Sequence, residues 1–365
     1  MKILLCFGTR PEAIKMAPLF HELKKKSFEV LVCVTAQHRE MLDQVLDFFE
    51  IVPDYDLDLM KPNQTLNRLS ANILSKVDEV FNIVKPDLVL VHGDTTTSSM
   101  VALAAFHFGI KVGHVEAGLR TFNKHAPFPE EINRQITGRL ADYHFAPTII
   151  SQLNLINEGV SKESILITGN TIIDALLYTK EKLELGYINN QIKKFQFLIN
   201  KKFILVTGHR RENFGQGFNN ICEALIEIAK DEAIHIIFPV HLNPNVKEPV
   251  NKILSNFKNI HLINPVEYPS MVWLLQNCTL VISDSGGIQE EAPTFNKTIL
   301  ITRNVSERPE GIEKGYSFLV GTNKKVIIEK AKYFLEKKTQ SLSKNPYGDG
   351  TASKKIVDFI LKNYQ

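Results

Sequence analysis

Asp94, Glu116 and the pair Glu130 and Glu131 are acids whose types and places could carry proton chemistry. Asp94 follows the apolar run DLVLVHG at 87–93, and Glu116 follows KVGHV at the end of a second such run. Pro127 and Pro129 then stiffen a short polar loop that delivers Glu130 and Glu131 to a helix start, where the dipole favours carboxylates. Carboxylates gathered at one sheet edge raise one another's pKa, as a general acid or base working near neutral pH requires. A structural reading competes. Asp94 is a good N-cap ahead of a Thr run, and one of Glu130 and Glu131 serves as an ordinary first-turn acid. The proton chemistry therefore rests on Asp94, Glu116 and one of the last pair acting together.

A second set of residues suits an anion. In FGTRPEAIKMAP, Gly8 permits a tight turn, Thr9 can cap, and Arg10 and Lys15 stand near a helix start. In LVISDSGGIQEEAP an apolar run ends in Asp284, Ser285, Gly286 and Gly287 just before a helix, a turn that lets backbone N–H groups approach a diphosphate. Glu290 or Glu291, one turn on, is placed to accept from a ribose diol. His209 and Arg210 end another apolar run, and His209 is fit to carry a proton or to donate to phosphate. Arg303 and Arg308 in RNVSERPEG are further anion partners. Other chemistries lack their signatures. No GxGxxG, Walker or GxSxG pattern is present. The HVE at 114–116 has no PCxxC after it, so no metal is expected. Tyr178/Lys182 and Tyr333/Lys337 have dehydrogenase-like YxxxK spacing but follow no dinucleotide fingerprint. Acids without metal or nicotinamide suit proton transfer next to a phosphorylated leaving group, with no cofactor.

The elements that must position these groups are legible in the apolar runs. Strand-like stretches at 2–8, 30–36, 87–93, 111–117, 143–148 and 164–169 alternate with amphipathic helical patterns, the first from Pro11 to Lys25. The pattern restarts near residue 200, with strands at 202–210, 234–241, 259–266, 280–287 and 298–302. Short β-branched runs separated by helices predict parallel sheets with crossover helices. The fold class is α/β: two Rossmann-like doubly wound domains facing across a cleft. The first spans 1–170, with a terminal helix at about 352–365 packing back on it, and the second spans 171–351. Residues 178–200, rich in Lys, Glu, Asn and Gln, read as a mobile surface segment. The 365 residues suffice for two such cores, and 44% apolar with 23% charged residues is an ordinary globular composition. A net charge of +3 without a basic block beyond Lys324–Lys338 does not suggest nucleic acid. The N-terminal stretch reads as a first strand rather than a signal peptide, and no apolar run is long enough to span a bilayer. Four scattered cysteines without a CxxC pair predict free buried thiols in a cytoplasmic protein.

The ordered set FGTRPEAIKMAPL, TAQHREMLDQ, VHGDTTT, GHVEAGLRT, PFPEEINRQ, TGNTIIDAL, TGHRREN and SDSGGIQEEAP resembles the non-hydrolysing UDP-N-acetylglucosamine 2-epimerases of bacteria, in register from Met1 to about Gly321. The resemblance implies a GT-B-like fold and interconversion of UDP-N-acetylglucosamine and UDP-N-acetylmannosamine without a redox cofactor. It implies loss of UDP with removal of the C2 proton to give 2-acetamidoglucal, then return of UDP and of a proton on the other face. A hydrolysing 2-epimerase that releases N-acetylmannosamine and UDP is the alternative. Carried onto this chain, the family's catalytic groups fall on Asp94, Glu116, Glu130 and His209, with base and acid unassigned. UDP contacts fall on Arg10, Lys15, Ser285, Gly286, Gly287, Glu291 and Arg308, beside Arg210. Uracil-side contacts fall near Val266 and Met271, and His241 is a further candidate. The resemblance also implies a homodimer. Some members bind a second substrate molecule as activator. There this chain keeps Gln37 but has Glu40 in place of Gln and Asn63 in place of Arg, which predicts weaker or absent activation.

Overall fold

The computed structural model describes residues 1–35, 39–61, 64–337 and 344–363, with backbone alone at 39 and 40. Gln37 and Asn63 lie outside the described residues, as does the side chain of Glu40. The chain divides into two compact units, Met1–Ala175 with Tyr347–Gln365, and Leu176–Pro346. The sequence-based limits at 170 and 351 fall close to these, and the observed division lies within the helix Thr171–Glu184.

The first unit holds a seven-stranded parallel sheet. Its strands are β1 (Lys2–Phe7), β2 (Glu29–Val34), β3 (Tyr55–Asp56), β4 (Leu88–His92), β5 (Lys111–Val115), β6 (Tyr143–Ala146) and β7 (Ile165–Ile167), in the order β3-β2-β1-β4-β5-β6-β7. Central β1 is apolar without alternation, and Ile3, Leu4, Leu5 and Cys6 have no exposed surface, as a strand covered on both faces requires. The register sets His92 opposite Val115 and His114 opposite His144, so the carboxyl ends of β4, β5 and β6 lie side by side. The helix Ala352–Asn363 lies on the helix Arg10–Lys24, and the ring edge of Phe359 meets Tyr143 and Phe145.

The second unit holds a six-stranded parallel sheet of β8 (Lys202–Thr207), β9 (Ile234–Pro239), β10 (Ile260–Ile263), β11 (Leu280–Ser283), β12 (Ile299–Ile301) and β13 (Ser317–Leu319), in the order β10-β9-β8-β11-β12-β13. Ile204 and Val206 enter one core with Phe218 and Leu225, while Phe203 and Leu205 enter another with Leu274 and Val281. Each such side chain contributes about 1.5–3 kcal/mol by leaving water.

In both sheets the chain winds outward from the first strand and then returns to its other side. The strand order therefore reverses between β1 and β4, and again between β8 and β11, and such switch points open ligand crevices at the strand carboxyl ends. The α/β reading with parallel sheets is borne out. The edge strands β3 and β13, of two and three residues, are too short for an apolar period to mark. Residues 178–200 are not the loose surface expected from their charge. The helix runs on to Glu184, a second spans Asn190–Phe195, and Ile192, Phe195 and Leu198 are buried anchors among solvated neighbours. All four cysteines are free and buried, and among the described residues no helix is long and apolar enough to cross a membrane.

Candidate active site

In the first unit, the switch point is built around Glu12. Thr9 caps the helix Arg10–Lys24, and the Glu12 carboxylate closes a capping box by accepting from Thr9 N at 2.8 Å and from Gly8 N at 3.1 Å. Its other oxygen accepts from Thr95 Oγ1 at 2.8 Å and Ser98 Oγ at 3.2 Å, which ties the turn after β1 to the turn after β4. Arg10 opens this helix, and Lys15 leaves it one turn on toward the strand ends.

Glu116 follows β5 with φ of +62°, a left-handed backbone that costs a non-glycine residue roughly 1–2 kcal/mol. That turn aims its carboxylate inward. The Lys15 ammonium donates to Oε2, Asn170 Nδ2 donates to the same oxygen at 2.8 Å, and His92 Nε2 stands 3.7 Å away. Burial holds the His92 pKa down at about 4, so this imidazole is neutral at pH 7. Asp94 receives Arg134 Nη2 at 2.5 Å. Burial pushes its pKa up, the Arg134 charge opposes this, and the Glu116 and Glu130 charges push it up further. Asp94, Glu116 and Glu130 thus form one electrostatic cluster, as the sequence reading expects.

The two adjacent acids at the start of the helix Glu130–Leu140 have different jobs. Glu131 is wholly buried and accepts from Thr121 N and Phe122 N at 3.1 Å each and from Gln135 Nε2 at 3.0 Å, with Arg134 Nη1 at 3.3 Å. It pins the loop that follows Glu116. Glu130 Oε2 is enclosed and has no hydrogen-bond partner among the described residues. Of the pair left open by sequence, Glu130 is the one with an oxygen available for chemistry.

In the second unit, Asp284 is the hub. Its buried carboxylate accepts from His209 N at 3.0 Å, Arg210 N at 2.9 Å and Asn213 Nδ2 at 3.2 Å, locking the turn after β8 to the end of β11. The His209 ring lies 5.5 Å from that of His241, inclined by 20°. Burial lowers the His209 pKa, and the Asp284 charge opposes that. Ser285 N donates to Ser283 Oγ at 2.9 Å, and the helix Gly286–Glu291 starts there. Gly286 lets the Arg308 guanidinium lie close over the turn, since a Cβ there would stand 2.6 Å from it and displace the end of that side chain. Arg308 is held by Glu290 through Nε at 2.7 Å, so Glu290 is an arginine anchor. Arg303 binds Glu212 at 2.7 Å. Val266, just past β10, lines a cavity of about 440 Å³ with Phe195, Phe197, His261 and Asn264, while Met271 packs on the core beside it. Among the described residues, no group of three or more His, Cys, Asp or Glu side chains is arranged to hold a metal ion.

A family model described as UDP-N-acetylglucosamine 2-epimerase matches residues 21–361. The chain belongs to the UDP-N-acetylglucosamine 2-epimerase family. It is 52% identical to the UDP-N-acetylglucosamine 2-epimerase of Escherichia coli strain K12 over 372 residues, covering 100% of this chain and 99% of that one. The crystal structure of the Neisseria meningitidis epimerase bound to UDP-GlcNAc superposes with a TM-score of 0.91 at 49% identity, over the full length of both chains. The Methanocaldococcus jannaschii epimerase, in complex with UDP-GlcNAc and UDP, gives 0.85 at 34% identity, covering 99% of this chain and 100% of that one. These likenesses make the fold that of the epimerase family, which is GT-B-like. Within this family member, three groups near Glu116 and Asp94 escape a reading of sequence alone: His92, Arg134 and Asn170. His92 looks like a strand residue, Asn170 is distant in sequence, and only the i, i+3 spacing of Glu131 and Arg134 offers a local hint.

Proposed function

We propose that this protein interconverts UDP-N-acetylglucosamine and UDP-N-acetylmannosamine without net hydrolysis. One carboxylate takes the C2 proton as the C1–oxygen bond to UDP breaks, leaving 2-acetamidoglucal. UDP then re-forms the C1–oxygen bond, and a second group returns a proton to C2 on the opposite face. The observation that carries this reading is the unequal treatment of neighbouring carboxylates. Asp94 is pushed toward its protonated form and paired with Arg134, Glu116 is clamped by Lys15 and Asn170, and Glu130 keeps an oxygen without a partner. Neighbours tuned apart in this way supply an acid and a base at one pH. Both roles fall among Asp94, Glu116 and Glu130.

In this reading the second unit holds UDP. Arg210, Arg308, Ser285, Gly286 and Gly287 serve the diphosphate, Glu291 the ribose, and the Val266–Met271 stretch the uracil. His209, with the His241 ring lying against it, serves the leaving phosphate. Related structures, one bound to UDP-GlcNAc and one to UDP-GlcNAc and UDP, support this choice of ligand. We propose further that the protein works in the cytoplasm as a homodimer. Proton NMR of the purified protein with UDP-N-acetylglucosamine in heavy water tests the function. A new manno anomeric signal still linked to UDP, with deuterium at C2, is the expected result. Free N-acetylmannosamine accumulating with UDP would replace this reading with the hydrolysing one.

A further inference from the structure

We propose that Asn170 is a positioning residue for Glu116 and that the segment Asn345–Tyr347 holds Asn170 in place. The inference rests on the proposed role of Glu116. Asn170 is buried, and each of its polar groups has a partner. Nδ2 donates to Glu116 Oε2 at 2.8 Å, Oδ1 accepts from Ile172 N at 3.1 Å at the start of the helix Thr171–Glu184, and the backbone N donates to Tyr347 O at 2.7 Å. A side chain bonded at both ends of its amide cannot rotate without losing one bond, so it fixes where the Glu116 oxygen stands.

The approach of the distant segment is built in. Gly169 has φ of +86°, and a Cβ there would stand 3.2 Å from the Gly348 Cα and 3.4 Å from the Tyr347 carbonyl oxygen. Just beyond, the Asp174 carboxylate accepts from Ala352 N at 3.2 Å and Ser353 N at 2.8 Å, fastening the same returning chain. At the other end of the segment, Asn345 Nδ2 donates to Glu290 O at 2.9 Å and Thr294 Oγ1 at 2.8 Å within the second unit. Glu290 is the partner of Arg308. Pro346 restricts the backbone between these two anchors. The chain returning at Tyr347 is therefore bonded to the residue that holds Glu116. At Gly169 and Asn170 the glycine admits the returning backbone and the asparagine bonds both that backbone and the acid.

The test uses Asn170→Ser and Asn170→Asp. Both keep an oxygen to accept from Ile172 N, so the helix start survives, and both lose the donor to Glu116. With UDP-N-acetylglucosamine followed by NMR, kcat should fall roughly 10²-fold, the loss expected when a reacting group is misplaced by about an ångström. KM should stay within about threefold and the thermal midpoint close to wild type. The acid limb of kcat in Asn170→Ser should move to higher pH, because a donor that favours an ionised acid has gone. Asn345→Ala, which leaves Asn170 intact, should lower kcat by about tenfold. Combined with Asn170→Ser it should add nothing, since both act through one path. An Asn170→Ser enzyme with kcat within twofold of wild type, an unmoved pH profile, or strictly additive losses overturns the inference. Wild-type protein that makes no UDP-N-acetylmannosamine would instead overturn the proposed function, and this inference with it.

Discussion

Replacing Glu130 and Glu131 separately by Gln should split activity from stability. Glu131→Gln keeps one carbonyl oxygen but turns an NH2 toward one of the two backbone donors, Thr121 N or Phe122 N, and removes the charge facing Arg134. Loss of a charge-assisted bond in a dry site costs about 1.5–3 kcal/mol, and breaking a buried ion pair about 3–5 kcal/mol. Arg134 retains Asp94 as a partner, which moderates the second figure. A net loss of about 3 kcal/mol, at ~2–4 °C per kcal/mol for a unit of this size, lowers the thermal midpoint by roughly 6–12 °C. Glu130→Gln alters an oxygen that bonds to nothing among the described residues, so its stability cost should stay within about 0.5 kcal/mol and its midpoint within about 2 °C. Its activity should fall by about 10²–10⁴-fold, the usual worth of an acid or base in place. Scanning calorimetry and the NMR conversion assay, run on both variants well below the lower midpoint, read the two effects separately. A Glu130→Gln protein that melts early yet turns over normally, or a Glu131→Gln protein that melts as wild type, would show that the two neighbours have been assigned the wrong way round.

Gly286→Ala should weaken UDP binding by about tenfold in calorimetry while leaving the fold intact, because the new methyl meets the mobile end of Arg308 rather than backbone. Unchanged affinity would remove Arg308 from the diphosphate site. His114 is fully buried with Nε2 against the Gly93 carbonyl at 2.7 Å, and burial holds its pKa down at about 3. Below about pH 6.5 the unfolded chain takes up a proton that the folded chain refuses until about pH 3. Its contribution is therefore complete above pH 6.5 and falls by about 1.4 kcal/mol per pH unit below it. Urea unfolding of wild type and His114→Gln between pH 4.5 and 7.5 should show that slope in their difference, and a constant difference would refute it.

Much of this arrangement is legible in the sequence because parallel strands buried on both faces are continuous apolar runs, and the residue after each run stands where ligands bind. That logic finds Asp94, Glu116, His209 and Asp284–Gly287 without coordinates. It fails where local pattern carries no direction. Glu130 and Glu131 share a first helical turn, and only the loop returning through Thr121 and Phe122 decides which one faces it. The left-handed turn at Glu116 leaves no mark in composition, and Asn170 is 54 positions away from the acid it touches. Ile192, Phe195 and Leu198 disappear among lysines and asparagines, although they anchor the stretch they punctuate.

The charge count around Asp94 explains why this site should hold acid and base together. Four carboxylates, Asp94, Glu116, Glu130 and Glu131, meet two cations, Lys15 and Arg134, and the nearby His92 is held neutral. Full ionisation would leave an excess of two negative charges among these closely placed groups, which favours retention of a proton. Asp94 is the group pushed upward, and it sits where the charges of Glu116 and Glu130 both act on it. A third cation would remove that pressure. Loss of Arg134 would raise it. An excess of acids over cations thus suits the proposed two-face proton transfer, because it favours one retained proton while leaving carboxylates able to receive one.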